Sequence, residues 1–213
     1  MLTWWILAWT MLGCALRGGT PHEVDLADLA ALSPEGLETL RDEEHGLAVA
    51  RTLLAGARAE EVRAAARVDA AQARVRQLEL ELEVAEASLD AARASGDASR
   101  QGLALGRQEA ARRAASAAEA AEQWQIAARE ATKEETRLAD ARVGLRTAEL
   151  EMARLELLER HDQARGYMRS DFTEQLRDAQ RRYDEAARRY DKAAEGATRA
   201  YERWRALERG TLG

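Results

Sequence analysis

From residue 35 to residue 213 the chain contains no proline, and across that length apolar or small residues return every seven positions. A proline-free stretch of this length with a sustained seven-residue period admits one economical solution, long helices wound about each other in left-handed supercoils. Val68, Val75, Leu82 and Leu89 form one row, and Ala64, Ala71, Leu78, Ala85 and Ala92 form its companion three residues on. Traced back, Leu54 fits the first row and Glu61 does not. The spacing returns in a second block as Ala117, Trp124, Ala131, Leu138, Leu145 and Met152, with Ala120, Ala127, Glu134, Ala141, Ala148 and Leu155 beside it. A third block is the most regular: Leu176, Tyr183, Tyr190, Ala197 and Trp204, flanked by Phe172, Ala179, Ala186, Ala193, Ala200 and Leu207.

Composition supports helices over either strands or disorder. Ala, Leu, Arg, Glu and Gln are the strongest helix formers, and they dominate after residue 20, whereas aromatics are 5% and charged residues 33% of the whole. A charged, aromatic-poor chain can also be disordered, but disorder has no need of a seven-residue period. Acids and bases are interspersed and the net charge is −6, as on a solvated helix surface laced with local ion pairs. Such a surface offers no basic footprint for nucleic acid.

Local punctuation divides the helices. Val24 to Leu32 is a short helical stretch, and Ser33-Pro34-Glu35 is a helix start with a serine cap, a proline in the first turn and an acid behind it. Ser95-Gly96-Asp97 reads as a hairpin turn, with Gly96 closing one helix and Asp97 or Ser99 capping the next. Gly102 and Gly106 mark either close packing near that turn or a frayed first turn. A second break is expected between Arg160 and Gly166, with a new cap at Ser170-Asp171; a kink in one continuous helix is the alternative. The expected organisation is a segment over 1–13, a tether over 14–23, the short helix and first long helix over 24–97, a second long helix over 98–166 and a third, aromatic-rich helix over 170–209. The expected fold class is all-α: an elongated antiparallel coiled-coil hairpin, with the third helix packed on it or on a partner chain.

The first residues carry a different signal. Leu2 to Leu16 is apolar but for Thr3, Thr10, Gly13 and Cys14. That is shorter than the ~20 residues a spanning helix needs and suits the apolar core of a signal peptide. It ends in Met11-Leu12-Gly13-Cys14, which resembles the lipobox of bacterial lipoproteins. The resemblance covers these first residues alone. It implies cleavage before Cys14, acylation of that cysteine, and, with Ala15 rather than Asp next, a place on the periplasmic face of the bacterial outer membrane. Arg17-Gly18-Gly19-Thr20-Pro21 would then be a flexible tether.

Sites for chemistry are sparse. His22, His45 and His161 are neither paired at helical spacing nor part of a metal-binding motif, although His45 follows Asp42-Glu43-Glu44. Cys14 is the single cysteine, so a thiolate metal cage within the chain is excluded. Phosphate-binding and nucleophile-elbow patterns are missing. Neither a catalytic residue, a cofactor, a metal nor a small-molecule substrate is expected. Tyr183, Tyr190 and Trp204 are either a surface for a partner, since exposed Tyr, Trp and Arg favour interaction hot spots, or the large members of a coiled-coil core. The expected partners are a membrane, through the lipid at Cys14, and an envelope protein or a second copy, through the coiled coil. The resulting expectation is a non-enzymatic scaffolding lipoprotein that projects a rod into the periplasm. Two resemblances stand beside it. The α-hairpin of periplasmic adaptor proteins in trans-envelope transport assemblies is similar to this one, and the membrane-remodelling proteins of the phage-shock-protein A type are similar in helical hairpin and length.

Overall fold

A computed structural model describes residues 22–212, and among these there is no strand. Two single-turn helices, α1 (Leu26–Ala30) and α2 (Pro34–Glu38), precede three long ones: α3 (Arg41–Ser95), α4 (Ala98–Arg160) and α5 (Arg169–Leu212). At 1.5 Å per residue α4, with 63 residues, is about 95 Å long.

The boundaries follow the local chemistry. Asp25 accepts the Ala27 amide and so caps α1. Ser33 accepts the Gly36 amide and Pro34 opens α2. α3 ends at Gly96, whose φ of 71° is left-handed and suits a residue without Cβ. Asp97 then caps α4 by accepting from the Ser99 and Arg100 amides. Gly102 and Gly106 sit inside α4 with open space where a Cβ would stand, so they do not serve close packing. The break after Arg160 is present: Asp162 and Gly166 both adopt positive φ, and the chain reverses into α5.

α3 and α4 form the antiparallel hairpin. Glu86 of α3 accepts hydrogen bonds from Gln108 at 3.3 Å and Arg112 at 3.1 Å. Arg58 pairs with Asp140 at 3.5 Å, and Gly46 lies against the Arg146 side chain. The face of α3 turned to α4 carries the first seam, with Leu54, Ala64, Val68, Val75, Leu78 and Leu89 buried. Its partner on α4 is not the row that contains Trp124. α4 meets α3 through a smaller, alanine-rich row that includes Ala104 and Ala115.

The Trp124 row faces the other way, towards α5, where Trp124 stacks on Trp204 and Leu155 shares a cluster with Phe172. α3 and α5 therefore lie on opposite flanks of α4 and scarcely meet one another. The three long helices make an open layer with α4 in the middle rather than a closed bundle. Glu134, the acid in the α4–α5 row, is buried. Arg137 one turn on reaches back to one carboxylate oxygen, and the other has no hydrogen-bond partner among the described residues.

Candidate functional site: the base of the rod

The densest core lies where residues 22–40 cross the elbow between α4 and α5. Val24, Leu29, Leu32 and Leu40 pack with Leu155, Leu157, Leu158 and Phe172. Leu155 and Leu158 are fully buried. Burying side chains of this size stabilises by roughly 1.5–3 kcal/mol each, so residues 22–40 form a strap that adheres through its leucines.

Polar contacts fix its direction. The Val24 amide donates to Glu151 Oε2 at 2.9 Å, and Arg154 donates to Glu151 Oε1 at 2.7 Å, both inside the core. The Asp25 amide donates to the Tyr167 hydroxyl at 2.9 Å, and that hydroxyl donates to Asp28 at 2.6 Å. The hydrogen bond to the Asp28 carboxylate pushes the Tyr167 phenol above its ordinary value, with desolvation adding to the effect and the Asp25 amide opposing it. The His22 amide donates to Gln175. Arg169, at the start of α5, closes the elbow on Glu156 at 2.8 Å and on Glu159. The chain that emerges from the first 21 residues is thus clamped to the end of the rod opposite the Gly96 turn.

The aromatic residues of α5 are placed as follows. Trp204 stacks on Trp124 with ring centroids 4.7 Å apart and planes 7° from parallel. Tyr201 meets the edge of Trp124 at 5.2 Å, and Arg205 lies 5.9 Å from the Trp204 ring. Tyr183 and Tyr190 are half-buried in the same heptad row. Trp204 is thus engaged within the chain. In the sequence Trp124 is one seam residue among others; the stacked pair joining it to Trp204 depends on helix register that the periodicity leaves free.

Beside this pair a groove of about 720 Å³ runs over α4 between Glu61 of α3 and Gly196, Ala200 and Leu207 of α5. Ala120, Ile126 and Ala127 form part of its floor and Arg129, Glu130 and Lys133 its rim. None of the residues lining it is a His, Cys, Ser or Tyr. His22 stands 3.9 Å from Asp171, His45 is exposed, and His161 faces Gly36. Among the described residues no group of three or more His, Cys, Asp or Glu is placed to hold a metal ion. No described helix is long and apolar enough to cross a membrane.

Cys14 and the lipobox-like residues before it lie outside the described residues. The sequence carries little sign of the base cluster, because its strap is short and its contacts are distant in sequence. The crowding of Leu150, Leu155, Leu157 and Leu158 is the one local signal for it, since these leucines cover more of the α4 circumference than one neighbour needs. No family model, curated protein or solved structure matches the chain.

Proposed function

We propose that the chain is a non-enzymatic scaffolding lipoprotein of the bacterial envelope, acylated at Cys14 and held on the periplasmic face of the outer membrane. The observation that carries this reading is the clamp at the base. An anchored rod transmits position only if the segment leaving the anchor is fixed to the rod's end, and Val24, Asp25 and His22 are fixed there. Eight residue steps separate Cys14 from His22, a reach of at most about 29 Å. The base therefore stays close to the bilayer while the Gly96 turn stands up to about 95 Å away along α4. Leu103 and Leu105, exposed near that turn, favour a rod whose tip touches another protein. They give some weight to a second reading, a subunit of a trans-envelope transport assembly.

The test is metabolic labelling with palmitate of the tagged chain and of Cys14→Ser in a Gram-negative host. Label and a signal-cleaved mass on the parent alone support the reading. An unlabelled, uncleaved chain in the cytoplasm overturns it.

A further inference from the structure

We propose that the uncovered face of α3 seats a second copy of this chain, with the two α3 helices parallel and in register. Each long helix can be read for seams, the 3–4 spaced apolar rows that demand a neighbour. α4 carries two and has two neighbours. α5 carries one, and its opposite face runs Glu174, Asp178, Arg181, Glu185, Arg188 and Lys192, charged at every position. α3 differs. Opposite the seam buried on α4, a second row keeps the same strict spacing, and it includes Ala66, Ala73, Leu80, Val84, Ala87 and Ala91. Every residue of that row is exposed, Leu80 by 61% and Val84 by 70%. The all-charged back of α5, in the same protein with the same alanine-rich composition, shows that an apolar row is not what solvent-facing positions here default to.

The occupant is read from the charges beside the row. In a parallel in-register pair, positions flanking the core meet the partner's residue five further along. That rule places Asp69 beside Arg74 of the second copy and Arg76 beside its Glu81, and the two-fold repeats both pairs, giving four attractive contacts and no like-charge one. An antiparallel pair with the same core would also pair Arg76 with Glu83 and Arg74 with Glu81, but it would set Asp69 against Asp90, a like-charge contact that the parallel pair avoids. The core positions agree: Val84 occupies the site where a β-branched residue favours two parallel strands, Leu80 the site where leucine does, and Gln77 the polar position that fixes register. Arg74 and Glu81 already flank Gln77 through hydrogen bonds of 2.9 Å each, so the side chains are arrayed along the row. The inference does not depend on the lipid at Cys14. It goes beyond that reading by making the scaffold a pair of rods with both bases at the same end.

The experiment uses the full chain carrying Cys14→Ser, purified in mild detergent, so that an added thiol is the only one. Ala66→Cys, on the row, gives a disulfide-linked dimer on mild oxidation, because residue 66 meets its own copy in the parallel register. Linkage only when Ala66→Cys is mixed with Ala91→Cys identifies the antiparallel pair and overturns the proposal, as does linkage in neither case. In sedimentation equilibrium at low salt the Arg74→Glu, Arg76→Glu double variant dimerises about 100-fold more weakly than its parent, through four repulsive contacts. Adding Asp69→Arg and Glu81→Arg restores self-association, and this fourfold variant does not pair with the parent. Circular dichroism of both variants shows unchanged helicity, since all four positions are exposed. A double variant that dimerises as tightly as the parent sinks the proposed interface.

Discussion

Glu151 is the most informative residue to remove. Its side chain is 5% exposed and receives two hydrogen bonds, one from the Val24 amide and one from Arg154, whose side chain is itself 18% exposed. Glu151→Ala leaves a buried cation and a buried amide without their acceptor. Breaking a buried ion pair by deleting one partner costs about 3–5 kcal/mol. The residual exposure of Arg154 brings that towards the lower limit, because the guanidinium can turn towards water. An expected loss of about 3 kcal/mol corresponds to roughly a 100-fold rise in the population of the undocked strap. Hydrogen exchange at residues 24–32 reads that population, since the strap can open without unfolding the long helices. The paired replacement Glu151→Leu with Arg154→Met removes both charges and recovers up to about 2 kcal/mol of the loss, leaving only the Val24 amide unpaired at about 1–3 kcal/mol. An exchange rate in Glu151→Ala within about threefold of the parent would refute the account of the clamp.

Trp124→Ala removes one partner of the stacked pair and the edge contact of Tyr201; for this half-buried ring a loss of about 2–3 kcal/mol is expected, read as a lowered melting temperature and a collapsed near-ultraviolet circular dichroism signal. Gly96→Ala and Gly102→Ala have opposite signs: the first forces a Cβ into a left-handed φ of 71° and costs about 1 kcal/mol, whereas the second adds a helix former in open space and gains about 0.5–1 kcal/mol. Both are read by chemical denaturation. The Tyr167 phenol titrates above its ordinary 10.0 in the folded chain, so its contribution to docking is complete below pH 10 and is lost as pH rises through the folded value. Tyr167→Phe abolishes that alkaline phase of strap exchange, and an unchanged phase would contradict the assigned contact.

Much of the fold was legible because it is written in local chemistry. The Gly96 turn, the Asp97 cap and the Ser33-Pro34 start depend on residues within a few positions of each other. The buried rows on α3 and α5 were legible because leucine, valine and aromatic residues mark them. α4 resisted the same reading. Both of its contact faces are rich in alanine, so the Trp124 row was the only conspicuous one, and nothing in it says which neighbour it meets. The aromatic residues on α5 supply the answer in three dimensions, since Trp204 and Tyr201 need a large, flat partner and Trp124 is the one within reach. The base cluster was illegible for a different reason. Val24 and Glu151 are 127 residues apart, and no periodicity links a nine-residue stretch to the elbow that receives it. Cys14 stands on sequence alone.

The central claim is that the base of this rod, and not its tip, sits at the membrane. The chain, acylated at Cys14 as proposed, is reconstituted in vesicles that carry an energy-acceptor dye at the bilayer surface, and a donor dye is attached in turn to Arg165→Cys at the elbow and Ser95→Cys at the turn. The account predicts strong transfer from residue 165 and almost none from residue 95, about 90 Å further along the rod. Equal transfer from the two positions, or stronger transfer from residue 95, would contradict it.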